Sequence, residues 1–249
     1  MKLFYHLMFC AMALLASPKI FQAEPRFLEP VSLRGSIYPA DSTNAALFTF
    51  RRSAHREGER VIANRQYLTP NGTPAATETV EYERDELKRF VLEEFQIQAH
   101  GSATFEKTAD GKTVIAFECE TGEKRKKTAL ETQSGIVLIN DTLPYFIAER
   151  WDGLMSGKSF AFRYAVIPRL ETIGFTIRKT VRPKTTQESE VEVEMRATGW
   201  LLQKLVDPIV FTLEMNPPHH IIQYKGRTTP KIRRGRAWED LDAVTIFDW

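Results

Sequence analysis

Glu188, Glu190, Glu192 and Glu194 fall one residue out of step with Val191, Val193 and Met195, so a strand through them sends acids to one face and aliphatic groups to the other. The same period of two recurs in Phe160, Phe162, Tyr164 and Val166, in Ile173, Phe175 and Ile177, and in Val80 and Tyr82 between Thr79, Glu81 and Glu83. A chain patterned this way buries one face of each strand and wets the other, as antiparallel sheets do. Turn residues separate the runs. Pro70-Asn71-Gly72 stands between Tyr67 and Val80, and Asp110-Gly111 between Phe105 and Val114, each reading as a hairpin because glycine accepts positive φ cheaply. Asn71-Gly-Thr73 and Asn140-Asp-Thr142 also match glycosylation sequons, although the turn reading is the stronger.

Two segments depart from period two. Asp141 or Thr142 caps a helix with Pro144 in its first turn, followed by Tyr145, Phe146, Ile147 and Trp151 and ended by Gly153, about three turns at most. Thr198 precedes Trp200, Leu201, Leu202, Leu205 and Val206, stopped by Asp207-Pro208. With no internal repeat, the expected architecture is mainly β: a single strongly curved antiparallel sheet, a half-barrel or open barrel, with two short helices packed on it.

The first residues read differently from the rest. Lys2 precedes an almost uninterrupted apolar run from Leu3 to Ala16, which is the form of a secretory signal and too short to span a bilayer. Residues 1–23 are therefore assigned to a signal peptide cleaved after Ala23, and 24–249 to one β-rich domain without a transmembrane segment. Cleavage after Ser17 and an uncleaved anchor stand as alternatives, because Phe21 fits the small-residue rule poorly. Export to the periplasm or the extracellular space is expected. Cleavage removes Lys2 and Lys19 and no acid, taking the formal charge from +2 to zero, so global charge argues against a nucleic-acid or anionic-membrane partner. Cys10 lies in the leader, which leaves Cys119 alone and excludes a disulfide framework.

The remaining chemistry is sparse. His219-His220 would point to opposite faces of a strand and could not share an ion, so neither metal nor cofactor is expected. Cys119 alternates onto the face of Ile115 and Phe117, an apolar setting that raises a thiol pKa. Gly157-Lys158-Ser159 has the wrong glycine spacing for a phosphate loop. Glu93-Glu94 and Asp240 with Asp242 read as solvated surface rather than acid/base pairs, and no catalytic residue is assigned. The segment Lys225–Arg236 carries Lys225, Arg227, Lys231, Arg233, Arg234 and Arg236 without an acid; Arg227, Arg233 and Arg234 are candidates for an anion or head group, with Glu239, Asp240, Asp242 and Asp248 nearby to neutralise them.

The order of features, with a hairpin around Asp110-Gly111, a helix after Asp141-Thr142-Leu143-Pro144, Trp200-Leu201-Leu202 running into Asp207-Pro208, a late Gly226-Arg227 and the terminal Thr245–Trp249, resembles exported bacterial β-rich proteins of the domain-of-unknown-function type. More distantly it is similar to the open half-barrels that carry lipoproteins through the periplasm. The resemblance implies a concave apolar sheet partly covered by helices and transfers no functional residue. The first reading of function is a non-enzymatic binding or carrier module for a lipid or other hydrophobic small molecule, with Phe146, Trp151, Trp200 and Leu201 as candidate ligand-binding residues. The alternative is a structural or interaction scaffold with a closed core, and an enzyme of unidentified type comes third. A lipid-facing barrel is opposed by strands such as Leu47–His55, whose Arg51, Arg52 and His55 lie on both faces. N-terminal sequencing of protein recovered from its native envelope is expected to begin at Glu24; a start at Met1 in a cytoplasmic fraction would overturn the assignment.

Overall fold

The computed structural model describes residues 32–122, 126–181, 187–199 and 207–249. The leader, Trp200, Leu201 and the helix expected after Thr198 lie outside the described residues. Fifteen strands form one nearly closed, curved sheet. Its first half is a meander of β1 (Leu33–Pro39), β2 (Phe48–Glu57), β3 (Arg60–Leu68), β4 (Pro74–Glu83), β5 (Glu86–Glu94), β6 (Ala99–Lys107), β7 (Thr113–Thr121) and β8 (Lys127–Gln133). The second half holds β9 (Val137–Leu138), helices α1 (Leu143–Glu149) and α2 (Trp151–Met155), then β10 (Phe160–Val166), β11 (Glu171–Lys179), β12 (Glu190–Ala197), β13 (Ile209–Glu214), β14 (Ile221–Arg234) and β15 (Ala237–Asp248). β1 pairs with β15, which joins the halves along one line, and β8 and β9 are the two outer edges of the sheet.

Both expected hairpins are present, β3 to β4 through Pro70-Asn71-Gly72 and β6 to β7 through Asp110-Gly111, with Gly72 and Gly111 at φ of 83° and 80°. β9 departs from the antiparallel expectation. It runs parallel to β10, pairing Val137 with Arg163 and Leu138 with Tyr164, because α1 and α2 carry the chain back across the sheet end before β10 begins. The helical segment also differs from its sequence reading. Gly153 lies inside α2, where a Cβ would stand 2.5 Å from the Phe160 ring, and the chain turns instead at Gly157, whose φ is 86°. Glu192 and Glu194, read as wet, are buried; two guanidiniums, Arg178 and Arg196, hold the Glu194 carboxylate at 2.6 and 2.8 Å.

The connection from β8 to β9 is only residues 134–136, so the two outer edges must lie close together. Side chains, rather than a backbone ladder, bind this seam. Glu131 of β8 accepts hydrogen bonds from the Thr172 amide at 3.0 Å and the Thr172 hydroxyl at 2.8 Å in β11. Behind it, Ile167 of the 3-10 turn Ile167–Arg169 rests on Gly101 of β6. Added to Gly101, a Cβ would lie 2.3 Å from Ile167 Cγ2 and 2.9 Å from the Glu118 carbonyl, whereas at Gly135 it would meet nothing within 4 Å. Gly101→Ala is accordingly expected to lower stability in urea unfolding by about 1 to 3 kcal/mol, and Gly135→Ala to change it by less than about 0.5 kcal/mol. Equal effects would show that the seam is not closely packed.

Candidate functional site

Three charged residues break the inner-face pattern at one level of the sheet. On β2 the inward series is Phe48, Phe50 and Arg52; on β3 it is Val61, Ala63, Arg65 and Tyr67; on β4 it is Glu78, Val80 and Tyr82. The register pairs Arg52 with Arg65 and Arg65 with Glu78, so the three form one cross-strand row on the concave face. Two guanidiniums side by side repel each other, and in a low-dielectric interior this arrangement needs counter-charges.

The compensation comes from the turn between β9 and α1. Asp141 accepts from Arg52 Nε at 2.5 Å and Nη2 at 2.9 Å and from the Tyr82 hydroxyl at 2.8 Å, and lies 3.8 Å from Arg65 Nη2. This bond set explains why Asp141 does not cap α1: its carboxylate is already engaged. Thr142 stands at the helix N-cap, with its hydroxyl turned back to bond the Ile139 amide and carbonyl. Asn140 donates to Glu78 at 3.1 Å and accepts from the Tyr164 hydroxyl of β10. The same Glu78 oxygen accepts from Tyr67 at 3.0 Å and from Thr229 of β14 at 2.6 Å, while its other oxygen lies 3.6 Å from Arg65. Thr229 and Pro230 occupy a bulge in β14, between the paired residues Thr228 and Lys231, and the bulge lets Thr229 reach across the interior. Two positive and two negative side chains therefore meet within a shell of tyrosine, asparagine and threonine donors. Burial raises the Asp141 pKa, but the bonds and charge of Arg52 and the charge of Arg65 outweigh it and hold the carboxyl below its ordinary range. Burial, with the nearby Glu78 charge, pushes the Tyr67 hydroxyl up.

Other candidate residues are dispersed around this centre. Phe146 is 0% exposed, packed against Phe162 at 5.1 Å between ring centres, with the Arg150 guanidinium 3.9 Å from its ring. Trp151 is half-buried and stacks at 3.6 Å on His219. His220 stacks at 4.0 Å on Trp249 and lies 3.1 Å from a Glu214 oxygen, so each histidine faces an indole in a turn rather than alternating along a strand. Cys119 is half-buried, and burial followed by the Glu94 charge raises its thiol pKa. Arg227 is bound to Asp240 and Asp242 at 2.5 and 2.8 Å, leaving Arg233 and Arg234 further along β14 and exposed. A recess of about 160 Å³ opens at the seam, lined by residues that include Leu87, Lys107, Thr113, Gly135 and Ile136.

The sequence reading passed over Arg65 and Glu78, although a charge in step with aliphatic residues on the same strand was the available signal, and it took Asn140 only as part of a sequon. No protein-family model, curated protein or solved structure matches the chain. Asp141→Asn is expected to cost about 3 to 5 kcal/mol near neutral pH, because it leaves two buried guanidiniums facing one carboxylate. The folded pKa of Asp141 is depressed, so its contribution is complete above the unfolded value of about 4 and is lost as pH falls through the lower folded value. Urea unfolding across pH should therefore show the gap between wild type and Asp141→Asn closing only below about pH 4. A constant gap would mean that the carboxylate charge is not what matters.

Proposed function

We propose that the protein is an exported cell-envelope interaction module that works through its outer surface, with its concave interior closed and filled. The observation that carries this reading is the occupation of the sheet's concave side by the Arg52, Arg65, Glu78 and Asp141 cluster together with the 139–142 turn. An acyl chain in that place would have to displace charged groups already bonded to one another, at a cost of several kcal/mol per exposed buried charge. The helical residues that a carrier would turn toward its ligand support the same view, since Phe146, Ile147 and Leu154 are fully buried in the cluster formed with Phe162, Ile177, Val193 and Leu213. The seam recess, about 160 Å³, is smaller than the roughly 300 Å³ at which small-molecule sites begin. Outward faces of β3, β4 and β5 carry the ion-paired row Arg60, Glu81 and Arg89, a surface suited to water rather than to acyl chains. Export rests on the apolar leader, and no helix among the described residues is long and apolar enough to cross a membrane.

Native mass spectrometry of protein purified from its own envelope fraction is expected to give the mass of the processed chain alone. Thermal shift against monomeric fatty acids and zwitterionic phosphatidylcholine should leave the melting temperature unchanged, while Phe146→Ala should cost about 3 to 5 kcal/mol of stability. A co-purifying lipid, or a ligand-dependent rise in melting temperature with Phe146→Ala reducing it, would restore the carrier reading.

A further inference from the structure

β14 and β15 are the two longest strands, and their register shows that they outrun the sheet. β13 pairs with β14 only as far as Lys225, and β1 pairs with β15 only from Ala243 onward, while β14 and β15 continue to pair out to Arg233 with Trp238 and Arg234 with Ala237. Residues from about Arg227 to Asp242 therefore form a two-stranded ribbon with no strand paired on either side among the described residues, turned at its end by Gly235, whose φ is 61°, and Arg236.

Charge divides this ribbon into two parts. At its base the cations are internal struts: Arg227 grips Asp240 and Asp242, and Lys231 lies 2.8 Å from Asp240 and 3.4 Å from Glu94 of β5. Gln96 adds a clamp, donating to the Lys231 carbonyl at 2.9 Å and accepting from its amide at 2.7 Å. At the tip the cations point outward. Arg233, Arg234 and Arg236 are exposed, and only Arg234 has a carboxylate within 4 Å among the described residues, Glu239 at 3.4 Å. Trp238, 39% exposed, has the Arg233 guanidinium 5.9 Å from its ring centre, and Phe95, 48% exposed, stands beside the Gln96 clamp on the same rim.

We propose that the tip of the β14 to β15 ribbon, with Arg233, Arg234, Arg236 and Trp238, docks the protein on an anionic lipid bilayer surface. Guanidiniums bind phosphate oxygens in pairs, and an indole settles at the level of the head groups with its ring in the apolar boundary. Anchoring on a membrane takes two signals, and basic and aromatic groups on one ribbon supply both. A free phosphate or a soluble polyanion would engage the arginines and leave Trp238 and Phe95 without a role. The proposal goes beyond the reading of the interior, because Arg233, Arg234, Arg236 and Trp238 are exposed at the ribbon tip, beyond the base residues that reach into the interior.

The test is co-sedimentation of the full chain with vesicles of phosphatidylglycerol and phosphatidylcholine, and with vesicles of phosphatidylcholine alone. Binding should favour the anionic vesicles, weaken as salt is raised, and shift tryptophan emission to the blue. Arg233→Glu with Arg236→Glu should weaken it by about 10-fold or more, and Trp238→Phe should remove most of the emission shift, with circular dichroism unchanged. Should the double variant fail to fold, Arg236→Gln at the turn carries the same comparison with a smaller expected loss. Equal binding to both vesicle types, a double variant that binds like the wild type, or inorganic phosphate or a soluble polyanion held as tightly as the vesicles with Trp238→Phe without effect, would overturn the proposal.

Discussion

The contact between Asp141 and the paired arginines is the constraint around which the interior is arranged. Arg52 and Arg65 are neighbours across β2 and β3, and neither can be dehydrated without anions. Glu78 supplies one from the next strand, but the second comes from a turn 89 residues away from Arg52 in the chain. Buried ion pairs contribute little net stability over apolar packing, because dehydration offsets their attraction. Their effect is on geometry: Asp141 can meet Arg52 and Tyr82 together only if the 139–142 turn sits over β2 to β4, and α1 then starts at a fixed place.

From that placement the rest of the second half follows. Asn140, next to Asp141, joins Glu78 to Tyr164 and so ties β4 to β10. Phe146 and Ile147 are thereby pressed into the apolar cluster of β10 to β14, while Ile139 enters the separate cluster of β3 to β7. One short turn thus feeds two hydrophobic cores and separates them with a polar layer. Glu131 with Thr172, Glu94 with Lys231 and Glu78 with Thr229 repeat the device at the seam, the rim and the centre, so the curved sheet is held across its interior by side chains where no backbone ladder exists.

Much of this was legible in the sequence where the physics is local. Period-two alternation and the Asn71-Gly72 and Asp110-Gly111 turns are enough to specify strands and hairpins, since each depends on residues a few positions apart. Gly153 misled because a glycine that ends a helix and a glycine that makes room for an aromatic ring look the same without the ring, here Phe160. Glu194 looked wet because one of the two guanidiniums that hold it, Arg178, lies on the neighbouring strand β11. The ionic centre was half visible: Arg52, Arg65 and Glu78 share parity with aliphatic neighbours, but their alignment into one row depends on register, and Asp141 looks like a helix cap until Arg52 is placed beside it.

The same row has a consequence for how the chain is made. As β1 to β8 leave the ribosome, they bring two arginines and one glutamate to the concave face of this level, an uncompensated charge of +1 that stays hydrated until residue 141 has emerged. The last counter-charge thus arrives past the midpoint of synthesis, and β15, which completes the edge of β1, arrives at its end. At this level the amino-terminal meander cannot be dehydrated at low cost until the 139–142 turn of the other half is in place, whereas the apolar cluster of β3 to β7 is made chiefly of its own residues.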